Sequence, residues 1–423
     1  MIYLDHAAAT PVSKKVFEAM EPYFSHEFFN PSAAYLPAKK VSAEYEAAKG
    51  VIAHAIGAKS HDLVITAGAT EANNLAFSFL NKEPVFSSSG LEKSEMSYAG
   101  QPAEPSPSET NLSVSSGIYI PDFSNHFIIQ KIQVLYLSTE HDSVRKVAEK
   151  YGGAAIDVDR NGRILLDDLK AKITDDTRLI SVALVNNELG TIQPLSEIAA
   201  IIRKVRLDRL SRGVKTPLYL HSDASQAMNL LNVNVARLGV DLLTLNAAKI
   251  YGPKGVGALY VSHEVKLKPL NYGGGQEMGL RSGTENVPGV MGFAKAVEEV
   301  TKHLNGNRKK YALWRKILLD ELQGYELVNK KHALDNFVVL CYNGIDAERL
   351  IFLLEDRGVY VSTGAACAAS KGVKSHVLKA IGLSDSEIAG SLRITLGETN
   401  TEEQIHEAAR LINEAVKIER RRR

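Results

Sequence analysis

Short apolar runs recur along the first 261 residues, and most of them end in a polar cluster that leads into a segment with helical periodicity. The runs with strand character lie at residues 62–66, 134–138, 179–185, 218–221, 241–245 and 257–261. The helical segments that accompany them include residues 38–56, 71–80, 168–173 and 195–210. Strand, polar cluster and helix in repeated order are typical of a mostly parallel α/β sheet, whose ligand crevice lies beyond the carboxyl ends of the strands.

Beyond residue 261 the pattern changes to a glycine-rich loop, several helices and shorter strands. The loop spans residues 273–286, the predicted helices are 287–304, 308–322, 347–357 and 401–421, and the predicted strands are 338–342, 359–362 and 392–397. This order predicts a second, smaller α+β domain that the N-terminal segment joins. We therefore predict a large domain over residues 14–262 and a small domain over residues 1–13 and 263–423.

Composition narrows the class of protein. Fifty Lys and Arg stand against 49 Asp and Glu, a net charge of +1, so charge gives no reason to expect binding to nucleic acid or to a membrane surface. No apolar run reaches the roughly 18 residues of a membrane span, and the N-terminus lacks signal-peptide features, so we expect a cytoplasmic protein. The two cysteines are too few for a disulfide framework and have no metal-ligand spacing. Residues 83–125, rich in Ser, Pro, Gly and Glu, predict a flexible insertion.

Lys249 is the strongest candidate for chemistry. It follows the run 241–245 at the start of a loop with three glycines and a proline. Partial burial there would disfavour the ammonium form, and the neutral amine is the form that makes a Schiff base or removes a proton. A surface lysine in a hairpin is the alternative. Polar residues at other strand ends would line the same crevice, namely Thr70, His141, Asn187 and Asp223.

Residues 67–70 connect a strand to a helix through a glycine turn. The first N–H groups of such a helix and the helix dipole both face an anion, so the turn is a natural phosphate site. Many α/β turns of this kind bind nothing, so the turn alone is weak evidence.

Taken together, these motifs resemble those of the cysteine desulfurases, which are pyridoxal-phosphate (PLP) enzymes of the class V aminotransferase group. The resemblance covers nearly the whole chain except residues 83–125. It rests on Gly68-Ala69-Thr70-Glu71 with Asn73-Asn74, Thr139-Glu140-His141, Asn186-Asn187-Glu188-Leu189-Gly190, Asp223-Ala224-Ser225-Gln226, Lys249-Ile250-Tyr251-Gly252-Pro253-Lys254-Gly255, the loop 273–286 and the loop around Cys367. It implies fold type I of the PLP-dependent transferases: a large domain with a mostly parallel seven-stranded sheet and a smaller α+β C-terminal domain.

The resemblance implies a PLP site around Lys249, which would hold the cofactor covalently and later carry the substrate α-proton. Asp223 would pair with the pyridine nitrogen, and His141 would stack on the ring and transfer protons. Gln226 would hydrogen-bond the phenolic oxygen, and Asn187 that oxygen or the substrate carboxylate. Taken alone, a strand-end aspartate is more often a helix cap, and a strand-end histidine is more often structural.

Ala69 and Thr70 would hold the PLP phosphate, and Thr284 would reach the phosphate of the neighbouring subunit, which implies a homodimer with shared sites. The family normally has a serine and a histidine where this chain has Asn246 and Ala248, and both help to hold the phosphate. Asn246 can still donate a hydrogen bond, whereas the Ala248 side chain cannot. We therefore predict that PLP is retained more weakly than is usual in the family.

For the substrate, the resemblance implies that Arg393 and Asn187 bind the carboxylate of L-cysteine, the arginine as a bidentate fork. Cys367, in a loop of small residues, would attack the substrate sulfur as a thiolate and retain it as a persulfide, leaving L-alanine. Cys341 lies between Leu340 and Tyr342 and is predicted to be a buried core residue.

The implied function is an L-cysteine desulfurase that passes sulfur to an acceptor protein, either an iron–sulfur scaffold or a tRNA-thiolation factor. Two alternatives are a PLP lyase or aminotransferase for another amino acid, such as selenocysteine, and a weakly active sulfur-relay or scaffold paralogue. A nucleotide site at residues 252–255 is disfavoured because the spacing is not that of a P-loop.

Overall fold

The computed structural model describes residues 1–80, 133–363 and 374–422. Its strands are β1 (Ile2–Tyr3), β2 (Leu63–Thr66), β3 (Val134–Leu137), β4 (Ala154–Ile156), β5 (Leu179–Ser181), β6 (Tyr219–Asp223), β7 (Leu242–Asn246), β8 (Gly257–Val261), β9 (Glu326–Leu327), β10 (Phe337–Cys341), β11 (Val359–Tyr360) and β12 (Ser391–Thr395). Its helices are α1 (Lys14–Met20), α2 (Pro22–Ser25), α3 (Leu36–Ala55), α4 (Ala69–Ala76), α5 (Asp142–Lys150), α6 (Leu166–Lys172), α7 (Leu195–Ser211), α8 (Val235–Leu238), α9 (Val287–Glu321), α10 (Ala347–Glu355), α11 (His376–Ala380), α12 (Asp385–Ala389) and α13 (Glu402–Arg421). None of these helices combines the length and the apolar character that a membrane span requires.

The largest sheet has seven strands in the order β2-β8-β7-β6-β5-β3-β4. The pairs from β7 through β4 are parallel, and β8 runs antiparallel to both of its neighbours. The prediction of a mostly parallel seven-stranded sheet is therefore confirmed. The carboxyl ends of β5, β6 and β7 meet at one edge, which brings the polar clusters after these strands together.

Burial on both faces explains why the strands are continuous apolar runs. Along β3, Val134 and Tyr136 pack in one apolar cluster with Val144 of α5. The alternate side chains, Leu135 and Leu137, pack in the larger cluster on the other face. Successive residues of a strand point to opposite faces, so a sheet covered on both sides needs apolar residues at every position.

A smaller antiparallel sheet has the order β12-β10-β9, and β1 pairs in parallel with β11. Thr395 N, at the end of β12, donates to Leu4 O at 2.7 Å, which extends the contact between the N-terminal segment and the C-terminal part of the chain. The proposed division into a large domain over 14–262 and a small domain over 1–13 and 263–423 stays a prediction.

One helix prediction is wrong. The segments 287–304 and 308–322 were predicted as two helices, but they form the single helix α9. The sequence Asn305-Gly306-Asn307 suggests a break because Gly and Asn are poor helix formers. Tertiary contacts outweigh this preference: Tyr311 and Trp314 are buried, and Asn307 Nδ2 donates to Glu398 Oε1 at 3.1 Å.

A buried ion pair anchors the glycine-rich loop to the large sheet. Glu277 Oε2 lies 2.9 Å from Lys49 Nζ and accepts a hydrogen bond from Ile65 N at 2.8 Å, while Oε1 accepts from the Tyr45 hydroxyl at 2.6 Å. The Lys49 and Glu277 side chains are only 6% and 5% exposed. The pair is therefore shielded from water, so removal of either charge would leave the other buried without a counter-ion.

Replacing Glu277 with glutamine should lower the free energy of unfolding by about 3–5 kcal/mol, because Lys49 is left as a buried charge without its counter-ion. Equilibrium unfolding in urea measures the change. Glu326→Gln is the matched control, since the Lys330–Glu326 pair is more than half exposed on both sides and should contribute less than about 1 kcal/mol. Equal effects of the two substitutions would contradict this account.

Candidate active site

Lys249 lies at the carboxyl edge of the large sheet. Its turn begins at Asn246, whose Oδ1 accepts a hydrogen bond from Ala248 N at 3.2 Å. Lys249 is half-buried, and its amine donates to Ala7 O at 2.7 Å and to Ala8 O at 2.6 Å. The amine is thus held against the N-terminal segment and does not point into bulk solvent, as it would in a surface hairpin.

Thr10 and Tyr251 fix the loop that carries Lys249. Thr10 Oγ1 donates to Ala248 O at 3.1 Å and accepts from Tyr251 N at 2.8 Å. Tyr251 has a φ of +62°, a left-handed conformation that costs on the order of 1–2 kcal/mol for a residue with a side chain. Its hydroxyl accepts from Glu398 N at 2.7 Å, which helps to hold the residue in this conformation. Neither residue is among the site residues predicted from the sequence.

Asp223 and Gln226 lie at the end of β6, which pairs with β7, the strand that leads to Lys249. Asp223 ends β6 and is 9% exposed, and its Oδ2 accepts a hydrogen bond from Asn73 Nδ2 at 2.8 Å. Gln226 Nε2 donates at 2.9 Å to Ala7 O, the same carbonyl oxygen that accepts from Lys249. The structure therefore brings Lys249 and Gln226 to a common acceptor, as expected for residues of one site.

A cleft of about 550 Å³ opens where α4 begins. Its lining includes the residues predicted to hold a phosphate and their neighbours, namely Ala69, Thr70, Asn246, Ala248, Gly255 and Asn271. Gly68 precedes α4 with a φ of +137°, which favours glycine. A Cβ on Gly257 of β8 would lie 2.9 Å from the Gly68 backbone, so β8 can approach this turn because residue 257 is a glycine.

The charges around the cleft suit an anion. Glu71 Oε1 lies 3.1 Å from Arg281 Nε and accepts from Asn271 Nδ2 at 3.2 Å, so the one carboxylate in the lining is paired. The cleft offers a helix N-terminus and the Asn246 amide to a phosphate, while Lys249 offers an amine for an aldehyde. With the Asp223 carboxylate nearby, this set of groups fits PLP. No group of three or more metal-ligating side chains occurs in residues 1–80, 133–363 and 374–422.

Arg393 and Asn187 also lie together. Arg393 is 3% exposed, and its Nη1 donates to Asn187 O at 2.8 Å. Its Nη2 lies 2.6 Å from Asp5 Oδ1. The arginine is thus near the second residue predicted to bind the substrate, but it is already paired with a carboxylate that the sequence analysis did not consider. Thr284 is exposed on the glycine-rich loop, and its predicted contact with a neighbouring subunit stays a prediction.

Of the two cysteines, Cys341 lies in a described part of the chain. Cys367 lies outside the described residues, as do residues 83–125. Cys341 is buried, as predicted, and its Sγ donates to Glu387 O at 3.4 Å. Burial raises the pKa of the Cys341 thiol to about 11, with the Glu387 carboxylate acting in the same direction. Cys341 is therefore protonated at neutral pH and is poorly suited to act as a nucleophile.

His141 follows the buried residue Glu140 and immediately precedes α5. The His141 ring is exposed, and its Nδ1 accepts a hydrogen bond from Ser143 N at 3.1 Å, so it serves as the helix N-cap. Glu140 Oε1 accepts from Ala183 N at 2.6 Å. His376 Nε2 lies 2.9 Å from Glu140 O, which ties the start of α11 to the same strand end.

Glu140 should make stability depend on pH. Burial raises the pKa of its carboxyl to about 8, with the Asp223 charge as a second cause, so between the unfolded value of about 4.3 and 8 the folded state holds a proton that the unfolded chain has lost. Stability from this group is therefore present below about pH 4.3 and is lost as pH rises to 8. Glutamine cannot ionise, so the change in unfolding free energy that Glu140→Gln causes should depend on pH. This change should be more favourable to the folded state at pH 8.5 than at pH 5.5, by about 1–3 kcal/mol. Urea unfolding at both pH values measures this, and an effect independent of pH would contradict it.

Comparison with known proteins places this fold and site. The chain matches a class V aminotransferase: the family model "Aminotransferase class-V" matches residues 2–89 and 120–407. The chain is 34% identical to the putative cysteine desulfurase IscS 1 of Bacillus subtilis strain 168 over 98% of both chains. It is 35% identical to cysteine desulfurase IscS 1 of Archaeoglobus fulgidus over 96% of this chain and 94% of that one. The chain therefore belongs to the cysteine desulfurase family.

Solved structures agree with this assignment. The X-ray structure of a NifS-like protein from Rickettsia africae ESF-5 superposes with a TM-score of 0.78 at 26% identity, over 99% of both chains. Another structure, titled NifS-like protein, gives a TM-score of 0.80 at 27% identity over the same share of each chain. The predicted family and fold are confirmed.

Proposed function

We propose that this protein is a PLP-dependent L-cysteine desulfurase. L-cysteine and the Cys367 thiol would give L-alanine and a Cys367 persulfide, so that the substrate sulfur moves to the enzyme and no external oxidant or reductant is needed. The observation that carries the proposal is the position of Lys249, whose half-buried amine shares the acceptor Ala7 O with Gln226 at the carboxyl edge of the sheet. Membership of the cysteine desulfurase family supports the same reaction.

Different residues would hold different parts of the cofactor. The backbone of Ala69, the Thr70 hydroxyl and the Asn246 amide would hold the phosphate at the α4 cleft. Asp223 would hold a proton on the ring nitrogen, since it is a buried carboxylate oriented by Asn73. When bound, PLP supplies an electron sink for the electron pair released at the substrate Cα.

Lys249 would take the α-proton of the substrate and return a proton on the way to alanine. Its amine is already held near the N-terminal segment by two carbonyl oxygens, which limits the positions that it can reach. His141, exposed at the start of α5, would contact the ring and move protons beside it. These roles follow from the chemistry of the side chains and their placement at one edge of the sheet.

Arg393 would bind the substrate carboxylate together with Asn187. Arg393 Nη2 is paired with Asp5, so binding of the substrate would exchange one carboxylate for another at the same guanidinium. This exchange keeps the buried arginine paired in both states, which avoids the cost of an isolated buried charge.

A homodimer with shared sites would bring Thr284 to the partner's phosphate site. Exposed apolar side chains in the N-terminal region support an interface, and they are Phe17, Phe24, Phe28, Tyr35 and Leu36. Phe28 stacks on Phe29, and Phe29 meets Tyr35 edge to face, so part of this set is one aromatic cluster. The sulfur would pass to an iron–sulfur scaffold or a tRNA-thiolation factor, and a cytoplasmic location stays a prediction.

The proposed reaction is tested by incubating the protein and PLP with L-cysteine under a reductant and measuring alanine, sulfide and, in a single turnover without reductant, protein-bound persulfide. Equal amounts of alanine and sulfur product are expected. Formation of a keto acid in place of alanine would favour an aminotransferase. A clear preference for L-selenocysteine would favour a selenocysteine lyase, and no turnover of either amino acid would favour the weakly active paralogue.

Ala248 should weaken PLP binding because it supplies no side-chain donor to the cleft. Ala248→His should lower the Kd for PLP about tenfold, the effect of roughly 1.4 kcal/mol from one added hydrogen bond to an anion. Ala248→Leu adds bulk without a donor and is the control, for which no gain is expected. Titration of the apoprotein followed by absorbance measures Kd. Purification of the unchanged protein with stoichiometric PLP and no added cofactor would contradict the prediction.

A further inference from the structure

A chain of hydrogen bonds joins His141 to Asp223, two residues that the sequence places 82 positions apart (223 − 141). His141 Nδ1 lies 2.9 Å from Ser143 Oγ. Asn73 Nδ2 donates to Ser143 Oγ at 2.8 Å and to Asp223 Oδ2 at 2.8 Å. The chain therefore crosses from the start of α5 through α4 to the end of β6.

The chemistry of the donors fixes the direction of each bond. The Asp223 carboxylate only accepts, so the Asn73 amide must turn its NH₂ group towards it. The two hydrogens of this NH₂ group serve Asp223 and Ser143 Oγ. Because Ser143 Oγ accepts from Asn73, its own hydrogen is available to His141 Nδ1.

The same logic fixes the tautomer of His141. Its Nδ1 also accepts from Ser143 N at 3.1 Å, and a backbone N–H can only donate. Two donors at Nδ1 leave no place for a proton there in the neutral ring, so the proton lies on Nε2. The neutral His141 ring therefore carries its N–H donor at Nε2.

Burial strengthens the chain at its inner end. Asn73 is fully buried and Asp223 nearly so, whereas Ser143 is half-buried and His141 is exposed. Asn73 Oδ1 is buried without a hydrogen-bond partner among the described residues, so the amide gives up one acceptor to keep its NH₂ group on Asp223 and Ser143. A hydrogen bond in such a low-dielectric setting is strong and holds its groups in one geometry.

We propose that Ser143 and Asn73 are positioning residues of the desulfurase reaction: they hold His141 as an Nε2–H donor and couple its orientation to the carboxylate of Asp223. The inference rests on the proposed function of this site. Asn73 stands in one of the sequence motifs without an assigned role, and Ser143 lies two residues after His141, outside those motifs. Neither residue needs to contact the substrate, since each acts through the group that it orients.

The tautomer is tested by ¹⁵N NMR of the histidine rings in the full-length protein, with His141 assigned by comparison with His141→Asn. The neutral ring is expected to carry its proton on Nε2. Ser143→Ala removes the hydroxyl and should shift the Nδ1 signal, and Ser143→Thr should restore it. Asn73→Ala should also shift it, although Asn73 does not contact His141, because the chain runs through Ser143.

Kinetics on L-cysteine test the positioning role. Ser143→Ala should lower kcat about tenfold with KM changed less than about twofold, and Ser143→Thr should recover kcat to within about twofold of the unchanged protein. Ser211→Ala is the control, since its hydroxyl is exposed and donates to Asp208 O within α7, and it should change neither quantity. Circular dichroism checks the fold of Asn73→Ala, while Ser143→Ala carries the test by itself.

The possible outcomes distinguish a failure of the proposed desulfurase function from a failure of the positioning role of Ser143 and Asn73. If the unchanged protein with PLP does not desulfurate L-cysteine, the proposed function fails, and the positioning role fails with it. If the protein is active but the neutral His141 ring carries its proton on Nδ1, or Ser143→Ala alters neither the ring signal nor kcat, the inference alone is overturned.

Discussion

Lys249→Ala should abolish desulfuration of L-cysteine, with kcat falling by on the order of 10³-fold or more, and should remove the visible absorption of bound PLP. The loss is large because one side chain would both anchor the cofactor and carry the α-proton. The Lys249 amine donates to both Ala7 O and Ala8 O, and no other described lysine makes these two hydrogen bonds. Steady-state alanine production and an absorption spectrum after removal of free PLP measure both effects.

Lys254→Ala is the matched control for this substitution. Lys254 lies five positions further along the same loop (254 − 249) and is exposed, so its loss changes the local charge equally without touching the sheet edge. It should retain most of the activity and the visible band. A Lys249→Ala protein with near-normal activity, or equal losses in the two variants, would refute the role assigned to Lys249.

Cys367→Ala should eliminate both persulfide formation and alanine production from L-cysteine, while leaving PLP binding intact. The reason is that the substrate sulfur has no acceptor without this thiolate, so the carbon–sulfur bond is not cleaved. Mass spectrometry of the protein after a single turnover detects the additional sulfur, and the visible spectrum reports the bound cofactor.

Cys341→Ala is the control for that experiment. With a pKa raised to about 11 by burial, roughly one Cys341 thiol in a thousand is ionised at pH 8. This variant should keep most of the activity and the full mass increase. Persulfide found on Cys341, or an enzyme indifferent to the loss of Cys367, would point instead to a different sulfur path or to an aminotransferase.

Most of the sheet could be predicted because its strands are continuous apolar runs buried on both faces. β4 could not, since Ala154–Ile156 is only three residues long and follows two glycines without a clear pattern. α9 was divided at Gly306 because local preference was the only information available there. Its packing against the rest of the chain, through Tyr311 and Trp314, becomes visible only in three dimensions.

In the candidate site, too, local sequence patterns indicate some residues but not the long-range contacts that hold the site together. Lys249, Asp223 and Gln226 could be named as candidate site residues because each stands near the end of an apolar strand in a motif of the family that the chain resembles. The groups that hold them could not be predicted in this way: Lys249 donates to Ala7 O across 242 positions, and Arg393 pairs with Asp5 across 388. Backbone carbonyl groups and long-range ion pairs leave no local pattern in a single sequence.

The most direct test of the central claim is to load the full-length protein with PLP, reduce it with borohydride, digest it and locate the pyridoxyl group by mass spectrometry. The account predicts that this group is attached to the Nζ atom of Lys249. Attachment to Lys254 or to any other lysine in a protein that desulfurates L-cysteine would contradict it.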